Sequence, residues 1–171
     1  LTDEEWTAIQ QQIDETLDAF AAFRTQEGQA LQQMFNTKLD EVMNLLAQVE
    51  PFEKGRVDKI RERLEQNLNL LAEKTKQQID ANRLEQEMIY YLEKLDITEE
   101  KVRLTNHVRY FRETMEAEGT GVGKKLGFIA QEMGREINTL GSKSNHSEMQ
   151  IIVVKMKDIL EQIKEQVLNV L

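Results

Sequence analysis

Apolar residues recur every three or four positions along almost the whole chain, which is the spacing of an amphipathic α-helix. The first such run spans residues 6–49. Thr2 followed by Glu5 forms a capping-box pattern that favours a helix start, and Pro51, the only proline, favours an end shortly before it. We therefore predict one long N-terminal helix that ends near residue 49.

Five further apolar stripes predict five more helices, and no segment shows the strict alternation of a β-strand. We expect these helices at residues 60–79, 82–95, 98–117, 123–142 and 147–170. The predicted fold class is all-α, an array of five to six long amphipathic, coiled-coil-like helices without a β-sheet. Glycines clustered between residues 119 and 141 predict a loop at 118–123 and a locally weakened helix after it.

The composition excludes several classes of protein. The 171 residues include no cysteine, so neither a disulfide framework, a zinc ribbon nor a thiolate nucleophile is available. The longest continuous apolar run is residues 151–154, which is far too short to span a membrane, and no signal pattern precedes it. We expect a cytoplasmic protein and, because the first residue is Leu1, part of a longer gene product.

The charge is unevenly distributed along the chain. A net charge of −9 argues against a polyanionic partner, but residues 1–50 hold ten acidic and two basic side chains. Residues 51–171 hold twenty-one acidic and twenty basic side chains and carry a basic face between Lys54 and Arg63. We predict an acidic N-terminal helix at 1–50, acting as an arm or connector, and a helical domain at 51–171 that is compatible with RNA.

A polar stripe flanks the apolar face of the helix predicted at 98–117. With 100° between successive residues, Glu100, Arg103 and His107 cluster about 40–100° from the apolar stripe. An ion pair at the helix edge with a half-buried histidine explains such a stripe in most sequences. The alternative is a functional site, because histidine exchanges protons near neutral pH and a glutamate can orient it.

A second polar group lies on the helix predicted at 123–142. Glu132 and Glu136 lie one turn apart, and two carboxylates at this spacing repel unless a positive charge lies between them. Mg²⁺ or Mn²⁺ would supply that charge, and so would a lysine or arginine from a neighbouring helix. From these residues alone, the lysine or arginine is the favoured alternative. Gln131, Arg135 and Asn138 share another face that is rich in hydrogen-bond donors for phosphate or base edges.

Two smaller groups are less specific. Arg83, Glu85 and Glu87 form a cluster that a surface lattice of ion pairs explains equally well. The glycine-rich segment before Lys124 and Lys125 lacks the spacing of a Walker A loop, but these two lysines are available to contact a backbone phosphate.

Several segments resemble, in order, the YicC/YloC family of bacterial proteins, which are described as metal-dependent endoribonucleases. The strongest resemblance covers the run Gly123-Lys-Lys-Leu-Gly-Phe-Ile-Ala-Gln-Glu-Met-Gly-Arg-Glu-Ile-Asn-Thr-Leu-Gly-Ser-Lys-Ser144. The other segments are residues 24–31, 82–87, 96–107 and 161–169. The sequence departs from the family pattern at Gly127, where aspartate is common, and at Gly134, where asparagine is common. Family members also carry an N-terminal domain of about a hundred residues that nothing here matches.

The resemblance implies an endoribonuclease, or its C-terminal part, that hydrolyses single-stranded or structured RNA with Mn²⁺ or Mg²⁺ in RNA turnover. The implied catalytic residues are His107, Glu132, Arg135 and Glu136. The implied metal ligands are Glu85, Glu87, Glu100, Glu132 and Glu136, with His107 as a further ligand or a proton shuttle. The implied RNA-binding residues are Arg83, Arg103, Lys124, Lys125, Gln131, Asn138 and Lys143. It also implies a homo-oligomeric ring such as a hexamer.

The alternative is a non-catalytic helical module. Such a module would oligomerise and bind RNA or a partner helix, and it would leave catalysis to the N-terminal domain. Long helices with spare apolar stripes predict self-association under either interpretation.

Overall fold

The computed structural model of the chain describes residues 2–75, 81–117 and 121–170, without the side chains of residues 54, 56, 57, 75, 81 and 83. Within these ranges every regular element is a helix, which confirms the predicted all-α class. The helices are α1 (Asp3–Ala47), α2 (Glu50–Lys54), α3 (Arg56–Thr75), α4 (Ala81–Leu95), α5 (Thr98–Glu116), α6 (Val122–Lys143) and α7 (Ser147–Val167).

The long first helix begins and ends where its capping residues predict. The Thr2 backbone N–H donates to the Glu5 carboxylate at 2.8 Å, and the Glu5 N–H donates to Thr2 Oγ1 at 3.3 Å. Pro51 lies in the first turn of α2, where its missing N–H leaves no hydrogen bond unmade. The proline therefore both follows the end of α1 and starts a short helix that the sequence pattern does not predict.

Four helices enclose the core. The second half of α1 packs against α5 and α7, and α6 packs against the same two helices, so the four form a bundle. Phe35 of α1 meets Phe111 of α5 edge to face, with 5.4 Å between ring centroids. Leu39, Met133 and Met156 are fully buried around this pair. Each such side chain contributes about 1.5–3 kcal/mol through its removal from water.

The α3 and α4 helices pack against each other, and α2 contacts α3. Residues 76–79 of the second predicted helix and residues 118–120 of the loop predicted at 118–123 lie outside the described residues. The last two residues of that predicted loop belong to α6, so the loop ends earlier than predicted. Gly121 precedes α6 with φ +79°, a left-handed conformation that glycine adopts without the strain a Cβ would cause.

Glycines on α6 allow α7 to approach closely. A Cβ on Gly123 would lie 2.2 Å from the Val170 carbonyl oxygen, and one on Gly141 would lie 2.9 Å from Val153 Cγ1. The α6 helix is nevertheless continuous over 22 residues. The packing with α7 therefore offsets the weak helix propensity that the glycines bring.

The first half of α1 has a different environment from the second half. Residues 2–30 are exposed throughout, including Trp6, Phe20 and Phe23, so these aromatic side chains do not contribute to the core within the single chain. Residues 35–49 contribute to the core, and the division of the chain at residue 50 stays a prediction. None of the described helices combines the length and apolar character needed to cross a lipid bilayer.

Candidate functional site

Two contacts at opposite ends of α5 and α6 define how these helices pair. The Lys125 Nζ lies 4.9 Å from the centre of the Tyr110 ring, and the Lys143 Nζ lies 2.8 Å from Glu100 Oε1. The helices are therefore antiparallel. Glu136 of α6 and His107 of α5 both lie in the segment between these two contacts, on the sides of the helices that face each other.

We call this line of contact the α5–α6 seam. It consists of Glu100, His107 and Thr114 on α5 and Ile129, Glu136 and Lys143 on α6. The seam brings together four of the polar residues that the sequence singles out, namely Glu100, His107, Glu136 and Lys143.

Glu136 is the most unusual residue of the seam. Only 5% of the residue is exposed, yet its carboxylate oxygens are not among the described side-chain oxygens that are buried without a partner, so they reach solvent. Within the described part of the chain, no hydrogen bond or ion pair reaches this carboxylate. His107, on the facing side of α5, is half-buried and likewise receives no such partner from the described residues. A carboxylate that reaches solvent and has no partner in the chain is available to a ligand.

Glu132 lies one turn from Glu136 but at the rim of the seam. It is exposed, and its Oε2 is 3.9 Å from the Arg135 guanidinium, which is itself 75% exposed at the side chain. The sequence pattern treats the two glutamates as an equivalent pair. The structure distinguishes them, because α5 covers Glu136 and leaves Glu132 in solvent.

Lys143 and Glu100 have a structural role that the sequence does not reveal. Lys143 donates to the Asp96 backbone carbonyl at 2.9 Å as well as pairing with Glu100, so its ammonium is engaged inside the chain. The other Glu100 oxygen, Oε2, is buried without a hydrogen-bond partner among the described residues. The predicted roles of Lys143 in RNA binding and of Glu100 in metal binding stay predictions.

The remaining predicted RNA-binding residues lie mostly on exposed surface. Arg103 forms an ion pair with Glu99 one turn earlier on α5. The other predicted RNA-binding residues on α6 are all exposed, namely Lys124, Lys125, Gln131 and Asn138. The side chain of Arg83 lies outside the part of the molecule that the structure describes.

Glu85 and Glu87 are exposed on α4, which packs against α3. The hydrogen bonds and ion pairs of the described residues do not connect either carboxylate with the α5–α6 seam. Within one chain, the predicted metal ligands therefore fall into two groups, one on α4 and one along α5 and α6.

The donor set of the seam fits one type of metal site. The described residues contain no cluster of three or more histidine or acidic side chains that would hold a metal ion on its own. Mg²⁺ commonly needs only one or two carboxylates, and it completes its shell with water and substrate phosphate. Glu136, which has no partner among the described residues, and Glu132 one turn away could supply the two carboxylates of such a site.

Two aromatic residues beside the seam are not among the functional residues that the sequence predicts. Tyr110 and Phe128 are 44% and 59% exposed, on the outer faces of α5 and α6. A signal for Phe128 is present in the sequence, because it lies off the stripe that Leu126 and Met133 define.

His146 lies at the start of α7 and is not part of the α5–α6 seam. Its Nδ1 accepts a hydrogen bond from the Glu148 backbone N–H at 3.2 Å. Its ring centroid lies 5.0 Å from that of Phe52. His146 therefore caps the start of α7.

Residues 49–171 match the family described as endoribonuclease YicC-like, C-terminal. The chain is 33% identical over 165 residues to a protein of Clostridioides difficile (strain 630) named probable endoribonuclease YicC. It is 34% identical over 157 residues to a protein of the same name from Haemophilus influenzae (strain ATCC 51907 / DSM 11121 / KW20 / Rd). The matches cover 96% and 92% of this chain but 56% and 53% of these relatives. The chain thus spans about half the length of the curated relatives it matches.

Proposed function

The chain belongs to the YicC-like endoribonuclease family, and we propose that it forms the RNA-cleaving part, or a portion of that part, of an endoribonuclease. The proposed reaction is divalent-metal-assisted hydrolysis of phosphodiester bonds in single-stranded or structured RNA, with Mn²⁺ or Mg²⁺, during RNA turnover in the cytoplasm. Apart from the family, one observation carries the proposal. Glu136 is a largely buried residue whose carboxylate reaches solvent and lacks a partner in the described part of the chain, and it lies on the same seam as His107.

Glu132 and Glu136 are the residues that would hold the metal ion, with His107 beside them. When bound, a divalent cation would stabilise the negative charge that develops on the scissile phosphate. Glu132 is exposed and Glu136 is largely buried, so together they would hold such an ion at the surface of the seam. A phosphate of RNA could then complete the set of metal ligands.

The chain's own residues supply the other parts of the proposed reaction. An imidazole nitrogen of His107 would accept the proton of the attacking water, and the nearby carboxylate of Glu136 would favour the protonated ring that results. Arg135, whose side chain is exposed, would bind the non-bridging oxygens of the phosphate. Lys124 and Lys125 would hold the RNA backbone at the far end of the seam.

The proposal is tested by RNA cleavage with the 171-residue chain. A short single-stranded RNA with a fluorescent 5′ end is incubated with the chain, with and without Mn²⁺, and the products are separated on a denaturing gel. We expect Glu132→Gln and Glu136→Gln to lower the rate about 100-fold or more, as removal of an acid–base or metal-binding group typically does. Glu113→Gln, on an exposed glutamate of α5, is the matched control and should cleave normally.

The product ends distinguish two mechanisms. Hydrolysis by water tolerates a deoxynucleotide at the cleaved position and is lost when a chelator removes the metal ion. A 2′,3′-cyclic phosphate that forms equally in the presence of the chelator would contradict the metal-dependent mechanism. That result would favour acid–base catalysis by His107, in which the 2′-hydroxyl of the RNA is the nucleophile.

A second candidate function is a non-catalytic, self-associating module that binds RNA. It is favoured by the exposed apolar side chains along the first half of α1, which include Ile9, Ile13 and Leu17. Under this candidate, the chain forms a homo-oligomer such as a hexamer, and catalysis requires the portion of the relatives that this chain does not match. RNA that is bound but never cut by the chain, together with a defined oligomer in analytical ultracentrifugation, would support it.

A further inference from the structure

Two exposed aromatic side chains lie on the outer surface of the α5–α6 seam. Tyr110 is 44% exposed and Phe128 is 59% exposed. The Lys125 Nζ lies 4.9 Å from the centre of the Tyr110 ring, so these parts of α5 and α6 are adjacent. Phe128 lies one helical turn beyond Lys125, in the direction of His107 on the antiparallel partner helix.

The charged residues around this aromatic pair favour an anionic partner. Among the described residues, no carboxylate pairs with Lys124 or Lys125, and Arg135 projects from the following turns of α6. The nearby acidic residues are Glu132, 3.9 Å from Arg135, and Glu113 on α5, 3.7 Å from Arg109, so each has an arginine beside it. Basic side chains therefore outnumber exposed acidic ones on this surface of α6.

Other exposed aromatic residues lie in the opposite electrostatic environment. Trp6, Phe20 and Phe23 are exposed to a similar extent on α1, but residues 2–30 contain seven acidic side chains and one basic side chain. That surface repels a polyanion. Exposure alone therefore does not distinguish the two surfaces, whereas the surrounding charge does.

Unpaired nucleic acid bases bind to surfaces of this kind. Exposed aromatic rings stack on the bases, while neighbouring lysine and arginine side chains hold the phosphates. A base within a duplex already stacks on both faces, so it cannot reach such a ring without being unpaired. Two aromatic side chains beside a cleavage site would therefore select RNA that is single-stranded at the cut.

We propose that Tyr110 and Phe128 form a platform on which unpaired RNA bases stack beside the α5–α6 seam. The proposal rests on the proposed function, because it takes RNA as the ligand. The platform adds a substrate preference to the proposed function, because the chain would bind single-stranded RNA more tightly than duplex RNA. Phe128 supplies much of that preference. The Tyr110 ring contributes through the face that the Lys125 ammonium does not cover.

The test is a comparison of binding affinities. Fluorescence anisotropy measures the Kd of the chain for a short single-stranded RNA and for the same strand within a duplex, in EDTA so that no cleavage occurs. The variants are Phe128→Ala and Tyr110→Ala, and the matched control is Phe20→Ala, which removes an equally exposed ring from the acidic surface. We expect Phe128→Ala to weaken single-strand binding about 5- to 150-fold, with the duplex and the Phe20→Ala variant unaffected.

A fluorescent reporter supplies a readout specific to stacking. Trp6 is the only tryptophan in the chain, so a Trp6→Phe, Phe128→Trp double variant carries a single tryptophan at the platform. Single-stranded RNA should quench its fluorescence, and the duplex should not. Circular dichroism of each variant establishes that it remains folded.

Each outcome bears on the proposal. Unchanged single-strand binding by Phe128→Ala, without quenching in the reporter variant, would overturn the platform while leaving RNA cleavage intact. If the chain binds neither the single-stranded RNA nor the duplex, the proposed function is wrong as well. If Phe128→Ala instead dissolves an oligomer and leaves RNA binding unchanged, the surface receives a second copy of the chain, and the platform is wrong.

Discussion

The two buried glutamates of the α5–α6 seam should respond in opposite ways to the same substitution. Glu136 and Glu100 are each 5% exposed, but only Glu100 has a cationic partner, at 2.8 Å in Lys143. Replacing Glu136 with leucine puts an apolar side chain at a largely buried position whose carboxylate reaches solvent and has no partner in the described part of the chain. We expect the free energy of unfolding to rise by about 1 kcal/mol.

Replacing Glu100 with leucine leaves the Lys143 ammonium without its carboxylate. Because the Lys143 side chain is 28% exposed, solvent compensates part of the loss, and the expected decrease in stability is about 1–2 kcal/mol. The Glu100→Leu variant serves as the matched control, since the two substitutions place the same side chain in equally buried positions of one helix pair.

Thermal unfolding followed by circular dichroism measures both effects. For a domain of this size, each kcal/mol shifts Tm by about 2–4 °C, so Glu136→Leu should melt higher and Glu100→Leu lower than the wild-type chain. The stabilised Glu136→Leu variant should also lose RNA cleavage, as expected when a functional residue is retained at the expense of stability. A decrease in Tm for both variants would show that Glu136 has a stabilising partner, and the argument for a site at this position would fail.

Five further variants, at four positions, test the packing and capping of the helices, each by urea unfolding. Gly123→Ala would place a Cβ 2.2 Å from the Val170 carbonyl oxygen and should lose about 1–3 kcal/mol, whereas Gly28→Ala meets nothing within 4 Å and should gain about 0.5–1 kcal/mol. Gln150→Leu removes two hydrogen bonds of 2.7 Å to carbonyl oxygens at the end of α6 and should cost about 1–3 kcal/mol; an unchanged midpoint would show that water replaces them. His146→Ala should cost about 0.5–2 kcal/mol through loss of the cap on α7, and His146→Asp, which can also cap, should recover most of it.

Much of the fold follows from local patterns in the sequence. The capping box at Thr2, the single proline at position 51 and the spacing of apolar residues predict the helices to within a few positions. These signals are local, because each depends on residues within one or two helical turns. The close packing of α6 on α7 through Gly123 could not be predicted, because it depends on which helix lies opposite the glycine.

The candidate site could be predicted only in part. Helical geometry groups Glu100 with His107, and it pairs Glu132 with Glu136, as the structure also does along each helix. It cannot show that Lys143 pairs with Glu100, because that contact joins residues 43 positions apart in the sequence. Without this contact, the sequence does not show that Glu136 and His107 lie on facing sides of α5 and α6, and it does not show the difference in burial between the two glutamates.

Photo-crosslinking of RNA to the chain tests most directly where the RNA lies. A single-stranded RNA that carries 4-thiouridine is bound in the presence of EDTA, irradiated and digested, and the crosslinked peptides are identified by mass spectrometry. We predict crosslinks on α5 and α6, centred on Tyr110 and Phe128. Crosslinks confined to the basic surface of α3, around Lys59, Arg61 and Arg63, would contradict it.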